Sequence, residues 1–84
     1  PHIELNADPS QADWYVLELV AVNRPYLLAD ISEVFARRRI SVRHAKISTL
    51  ADRAEDSFLL YSAALADPAE EVALKRDLLA VLST

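Results

Sequence analysis

The sequence predicts an α+β fold, an open sandwich in which two helices cover one face of a four-stranded antiparallel sheet. Segments with strand and helix patterns follow one another in the order strand, strand, helix, strand, strand, helix. The third and fourth strands are joined by so short a link that they must form a hairpin. Eighty-four residues are enough for one compact domain and no more, so we expect residues 1–84 to form a single domain.

The chain opens with two predicted strands. Residues 2–6 alternate between polar and apolar side chains, and residues 7–13, which include Pro9, break the pattern. Residues 14–22 carry β-branched and aromatic side chains over the length of a strand. One face of this strand carries Tyr15, Leu17, Leu19 and Ala21, and the other carries Trp14, Val16, Glu18, Val20 and Val22. Because both faces are largely apolar, we expect helices on one face and a further covering, such as a partner chain, on the other.

The first helix is predicted to follow at once. Asn23 is a favoured N-cap residue and Pro25 is tolerated in the first helical turn, which places Tyr26 in that turn as well. Apolar residues recur at helical spacing up to Arg38, namely Leu27, Leu28, Ile31, Val34 and Phe35. The arginines at 37–39 are interpreted as cations that complement the negative end of the helix dipole.

A hairpin and a second helix complete the pattern. Residues 40–50 and 56–63 have strand patterns, and the link 51–53 between them predicts the hairpin. The acidic residues near this link are Asp52, Glu55 and Asp56. We interpret them as solvated turn residues, because no histidine, nucleophile or phosphate-binding loop accompanies them.

The second helix has the clearest start signal in the chain. Asp67 is the predicted N-cap, Pro68 the first helical residue, and Glu70 completes a capping-box arrangement. The helix is predicted to run to about Leu82. Its apolar residues, Val72, Leu74, Leu78, Leu79 and Val81, occupy more than one face. We therefore expect part of this helix to be covered by another molecule.

The resulting βαββα core, residues 14–84, matches the split-βαβ, ferredoxin-like plan. No strand pattern follows the second helix. We therefore expect the N-terminal segment, residues 1–13, to supply a strand at the edge position that a terminal strand usually occupies. Right-handed crossovers would place both helices on one face and leave the other open.

Composition argues against several functional classes. Without cysteine there is no disulfide or thiolate metal site, which fits a reducing cytoplasm, and His2 and His44 stand apart from other metal-ligating residues. The net charge of −4 disfavours binding to nucleic acid, although a sheet face of the kind that stacks RNA bases could be formed by Trp14, Val16, Val20 and Tyr61. No apolar run approaches the ~20 residues that span a membrane. We expect a non-enzymatic protein.

Two stretches resemble a known family. Residues 22–31, Val-Asn-Arg-Pro-Tyr-Leu-Leu-Ala-Asp-Ile, resemble the ACT-domain signature, a strand that ends in Asp/Asn-Arg-Pro-Gly-Leu-Leu and enters the first helix. Residues 44–50 and 52–58 resemble the C-terminal ACT domain of the enzyme family that adds uridylyl groups to the nitrogen-regulatory PII protein and removes them. The resemblance implies a regulatory domain of a nucleotidyltransferase and hydrolase whose catalysis lies elsewhere in the parent chain.

The resemblance also implies an effector and a site. In this family an amino acid, glutamine for this parent, is held at a dimer interface by the strand-to-helix loop and the first helical turn. The residues carried over by resemblance are Asn23, the backbone around Tyr26, Leu27 and Leu28, and Ser41 and Val42 on the adjoining strand. Free N–H groups at a helix N-terminus suit a carboxylate, and the side-chain oxygen of Asn23 can accept from an ammonium group. The implied partner is a second copy or a neighbouring ACT domain, with no cofactor.

The chain departs from the family pattern at its glycines, of which it has none. Tyr26 stands where the family has the glycine that lets a ligand approach the backbone, and Arg39 and Ala51 occupy two further positions that are commonly glycine. Ser41 stands at a frequent Asn. Two interpretations follow: a sensor whose binding is weakened because Tyr26 crowds the site, or a ligand-free ACT-type scaffold that dimerises or docks within its parent.

Overall fold

The computed structural model describes residues 1–84 and has the predicted order of elements. The strands are β1 (His2–Ala7), β2 (Trp14–Val22), β3 (Ser41–Leu50) and β4 (Arg53–Tyr61). The helices are α1 (Leu27–Arg37) and α2 (Pro68–Leu82), and a short 3₁₀ turn, Ala64–Ala66, precedes α2.

All four strands form one antiparallel sheet in the order β1-β2-β4-β3. The N-terminal strand pairs with β2 at the edge, with Ile3 opposite Leu19 and Leu5 opposite Leu17. The predicted ferredoxin-like fold, including the edge position of the N-terminal strand, is therefore confirmed. Strand β3 forms the opposite edge and pairs only with β4.

The core lies between the sheet and the two helices and contains 17 buried apolar residues. Of the two faces of β2, the one with Tyr15, Leu17, Leu19 and Ala21 packs under the helices, and all four residues are buried. Helix α1 contributes Leu27, Ile31, Val34 and Phe35, and helix α2 contributes Leu74, Leu78 and Leu82. The rings of Phe35 and Phe58 meet edge to face, with centroids 5.3 Å apart, a geometry that stabilises by about 0.5–1.5 kcal/mol beyond burial.

Helix α2 begins as predicted. The Asp67 side chain accepts a hydrogen bond from the backbone N–H of Ala69 at 2.9 Å, and Pro68 is the first helical residue. The Glu70 carboxylate instead lies 3.4 Å from the guanidinium of Arg38, beyond the end of α1. Arg38 also donates to Asp77 at 2.7 Å, and this bond lowers the pKa of the Asp77 carboxyl. Arg38 therefore links the two helices.

The start of helix α1 differs from the prediction. The N-cap is Tyr26, in the left-handed conformation with φ 65° and ψ 9°, so the assignment of Asn23 as N-cap and of Tyr26 to the first turn is wrong. The physical reason lies in Pro25, because a residue before proline is disfavoured in the helical region. The backbone N–H of Asn23 also donates to the Asp52 carbonyl at 2.6 Å, which holds it to the β3–β4 hairpin.

The hairpin is tighter than predicted. Leu50 pairs with Arg53, so the loop contains only Ala51 and Asp52, and β4 begins three residues earlier than its expected start at residue 56. Ala51 has φ 55° and Arg39, after α1, has φ 57°. Together with Tyr26 they are the three positions at which the family resemblance placed glycines. A fourth residue, Asp13, has φ 69° in the β1–β2 connection.

The sheet face opposite the helices is open, as expected. Trp14 and Tyr61 pack edge to face on it, with centroids 5.4 Å apart, and Arg43 lies 5.7 Å from the Trp14 ring centroid. Val22 and Leu50 are more than half exposed at one end of this face. Neither helix is long and apolar enough to cross a membrane.

Candidate functional site

A cavity of about 200 Å³ lies where the N-terminus of α1 meets β3 and the start of β4. Asn23, Tyr26, Leu27 and Leu28 line one side of it, so the structure brings four of the six predicted site residues together. Ile47, Thr49, Ala54 and Asp56 line the other side. The cavity is therefore bounded by the same strand-to-helix loop that carries the signature motif.

The N-terminus of α1 has free donors in this cavity. No side chain caps the helix, and the first helical hydrogen bond runs from the N–H of Asp30 to the Tyr26 carbonyl at 2.9 Å. The N–H of Leu27 bonds to the Arg24 carbonyl at 3.3 Å, but the N–H groups of Leu28 and Ala29 have no backbone or side-chain acceptor. Two donors at the positive end of the helix dipole are thus available to an anion.

The side chain of Tyr26 extends outward although its backbone lines the cavity. The residue is 82% exposed, so its ring neither fills the cavity nor packs tightly on a neighbour within the chain. Its left-handed backbone conformation, rather than a helical one, directs the chain into α1.

Arg24 fixes the loop to the second helix. Its guanidinium donates to the Val81 carbonyl at 2.9 Å, to the Pro25 carbonyl at 3.0 Å, and pairs with Asp30 at 2.9 Å. The Nε of Arg24 is buried without a partner. These contacts hold the entrance of α1 against the last turn of α2.

Asp56 is the site residue that sequence reasoning missed. It was interpreted as a solvated turn residue, but it is 5% exposed and faces the helices from within β4. Its Oδ1 accepts a bond from the Ser48 N–H at 3.4 Å, and burial raises the pKa of its carboxyl. The signal was present in the alternation of β4, where Ala54, Asp56, Phe58 and Leu60 share the buried face.

Ser41 and Val42 lie at the other end of β3. Ser41 pairs with Tyr61 and Val42 pairs with Leu60, whereas the cavity borders β3 at Ile47 and Thr49. At about 3.3 Å per residue, Val42 and Thr49 are separated by roughly 20 Å along the strand. Within one chain, therefore, these two predicted residues are not part of the cavity.

Two further surface hollows occur on the molecule. One, of about 370 Å³, lies at the sheet edge between Pro1, His2, Val22 and Arg53. The other, of about 360 Å³, lies on the open sheet face among residues of both charges, including Glu18, Lys46 and Glu55. Nowhere do three or more histidine, aspartate or glutamate side chains gather in an arrangement that could hold a metal ion.

Comparison with known proteins gives one consistent likeness. The family profile described as ACT domain matches residues 15–80. The chain is 49% identical over 83 residues to the bifunctional uridylyltransferase/uridylyl-removing enzyme of Neisseria meningitidis serogroup B, covering 99% of this chain and 10% of that protein. The enzymes of the same name from Neisseria gonorrhoeae and Chromobacterium violaceum are 46% and 44% identical over 99% and 98% of the chain. The chain thus spans about a tenth of the length of these relatives.

Proposed function

This chain belongs to the ACT domain family, as a regulatory rather than catalytic unit, and we propose that it senses an amino acid, glutamine, for a uridylyltransferase/uridylyl-removing enzyme. The observation that carries the proposal is the cavity at the start of α1, where the N–H groups of Leu28 and Ala29 lack acceptors. Free amides at a helix N-terminus are suited to a carboxylate such as that of an amino acid.

The cavity also has the size and lining for a small polar ligand with an aliphatic stem. Its volume, about 200 Å³, is below the ~300 Å³ at which drug-sized sites begin. Leu27, Ile47 and Ala54 supply apolar wall, and the Asn23 side chain makes no hydrogen bond within the chain. Asn23 is therefore free to bond a polar group of the ligand.

A second copy of the domain is part of this proposal. Strand β3 is ten residues long, its outer edge is unpaired, and it exposes Val42, Ile47 and Leu50. A strand edge of this length presents a row of unpaired N–H and C=O groups, with which another strand can pair. Antiparallel pairing of two β3 strands about a central two-fold axis would bring Ser41 and Val42 of one copy beside the cavity of the other. This arrangement accounts for all six residues implied by the family resemblance.

Isothermal titration calorimetry with glutamine and a panel of other amino acids tests the proposal. We expect millimolar or tighter binding of one amino acid, with glutamine preferred. Because the nucleotide chemistry belongs to the parent enzyme, the isolated chain should neither transfer nor release uridylyl groups. Absence of binding by every amino acid, for a folded sample, would contradict a sensing role.

The second candidate is a ligand-free scaffold that dimerises or docks within the parent protein. The observation that favours it is the apolar surface outside the cavity, where Val22, Leu50 and Val72 are all more than half exposed. A dimer that binds no amino acid would support the scaffold. A dimer that binds glutamine would support the sensor.

We further propose that the domain works in the cytoplasm, where the absence of cysteine imposes no disulfide requirement. The parent enzyme would then meet its substrate in the same compartment. Cell fractionation should recover the parent protein with the cytoplasmic fraction, and recovery with the periplasm or the membranes would contradict the proposal.

A further inference from the structure

We propose that Asp56 recognises the ammonium group of the ligand, so that the site selects zwitterionic amino acids over carboxylates that lack a free amine. The inference rests on the proposed function, in that the cavity beside α1 is taken to hold an amino acid. It adds the residue that binds the cationic end and the chemical class that this residue requires.

Asp56 is a charged residue in a buried position. It lies on the buried side of β4 between Ala54 and Phe58 and is 5% exposed, yet its side chain is a carboxylate. It lines the cavity opposite the start of α1. A buried carboxylate is costly unless it is paired, and cores rarely retain one without a purpose.

The chain supplies Asp56 with almost no hydrogen-bond partner. Its one hydrogen bond, from the Ser48 N–H to Oδ1, is 3.4 Å long, whereas ordinary N–H···O bonds measure about 2.7–3.2 Å. No donor of the chain bonds to Oδ2, and no lysine or arginine forms an ion pair with this carboxylate. Arg24, the one cationic residue along the cavity wall, is paired with Asp30 instead.

The cavity has opposite polarity on its two sides. The free N–H groups of Leu28 and Ala29 offer a positive pole, and Asp56 offers a negative one. A ligand that satisfies both must carry an anionic and a cationic group, as an α-amino acid does. An ammonium donor would complete the hydrogen bonding of Asp56, and such charge-assisted bonds contribute about 1.5–3 kcal/mol, or roughly 10- to 100-fold in affinity.

The experiment compares L-glutamine with glutaramate, which keeps the carboxylate and the side-chain amide but has a hydrogen atom in place of the ammonium group. Calorimetry is performed on the unaltered chain, on Asp56→Asn, which keeps the shape and removes the charge, and on the matched control Asp52→Asn in the exposed hairpin loop. We expect the unaltered chain and Asp52→Asn to prefer glutamine by at least about tenfold. Asp56→Asn should lose about 10- to 100-fold in glutamine affinity and lose that preference.

The same series in a Tyr26→Gly background extends the measurement to weak binding, because removing the side chain widens the approach to the backbone. Equal glutamine binding by Asp56→Asn and the unaltered chain overturns the role of Asp56 and leaves the proposed function standing. No binding by the unaltered chain, by Asp52→Asn or in the Tyr26→Gly background overturns the proposed function and this inference with it.

A second measurement separates recognition from a structural role. Without ligand, Asp56→Asn should unfold at the same temperature as the unaltered chain or higher, because it removes an unpaired buried charge. A lower unfolding temperature would show that the carboxylate supports the fold, and this result overturns the inference. Loss of glutamine selectivity with undiminished stability is the combination that a structural role does not produce.

Discussion

Replacing Tyr26 by glycine should stabilise the domain, although the same change inside a helix would destabilise it. Tyr26 has φ 65° and ψ 9°, a conformation that costs a residue with a Cβ atom roughly 1–2 kcal/mol. Glycine adopts it without this cost. Because Tyr26 is 82% exposed, removal of its ring sacrifices little buried area.

The magnitude follows from two opposing contributions. Relief of the left-handed strain contributes about 1–2 kcal/mol to the free energy of unfolding, and the greater freedom of glycine in the unfolded chain removes about 0.4–1 kcal/mol. The net gain is therefore between about 0 and 1.5 kcal/mol. For a domain of this length, 1 kcal/mol corresponds to about 4–8 °C in Tm.

The assay is urea unfolding at equilibrium, with the midpoint concentration and the slope fitted separately. Tyr26→Ala is the matched control, because it removes the phenol but keeps the Cβ atom, and it should leave the midpoint nearly unchanged. Ala36→Gly, at an exposed position within α1, should lower the free energy of unfolding by about 0.5–1 kcal/mol. If Tyr26→Gly lowers the midpoint as Ala36→Gly does, or if Tyr26→Ala stabilises equally, the strain argument is refuted.

Three further predictions concern other parts of the chain. Asp67→Ala should lower the free energy of unfolding, measured with urea, by about 1 kcal/mol, because the hydrogen bond from the Ala69 N–H to the cap is lost. Asp67→Asn, which is also a favoured N-cap residue, should retain most of this stability. Because the pKa of Asp56 is raised, the Asp56 carboxyl binds a proton more readily in the native chain than in the unfolded chain. The contribution of Asp56 to stability therefore falls as the pH rises through its native pKa. The stability advantage of Asp56→Asn over the unaltered chain should therefore be largest at neutral pH and smallest below pH 3.8, the ordinary pKa of the carboxyl. A difference in the free energy of unfolding by urea that does not change with pH would contradict this. Sedimentation at tens of micromolar should give a dimer mass, and Ile47→Lys on the exposed β3 edge should shift it toward monomer, while a concentration-independent monomer for the unaltered chain would refute the proposed pairing.

Much of the fold could be predicted because local signals agreed with the tertiary structure. Alternation separated the two faces of β2, one of which is the buried face, and the Asp67-Pro68 start of α2 needed only the neighbouring residues of the chain. The N-cap of α1 was misassigned, although one local signal, the restriction that Pro25 places on Arg24, argues against a helix that starts after Asn23. The hydrogen bond that holds Asn23 joins it to Asp52, a residue far along the chain, and a capping pattern contains no information about that contact.

The site was predictable on one side only. Asn23, Tyr26, Leu27 and Leu28 belong to one contiguous motif, whereas Asp56 reaches the cavity through the pairing of β4 with β2 and β3. With β4 expected to start at residue 56, Asp56 fell at the edge of a turn, where acidic residues are ordinary. The true start at Arg53 places it inside the strand and on the buried face. An error of three residues at one boundary thus concealed the buried carboxylate.

The fold accepts other residues at the three positions where the family resemblance implies glycine. Tyr26, Arg39 and Ala51 all keep positive φ, so the backbone path at these junctions is dictated by the elements they connect and not by the residue present. Each departure from glycine costs roughly 1–2 kcal/mol of backbone strain, less the gain from a stiffer unfolded chain. At Arg39 and Ala51 this net change in stability is the only consequence, because neither residue lines the cavity. Tyr26 also lines the cavity, so the same substitution bears on ligand access as well as on stability. Tyr26→Gly should for this reason improve both properties together, whereas Ala51→Gly should improve stability alone.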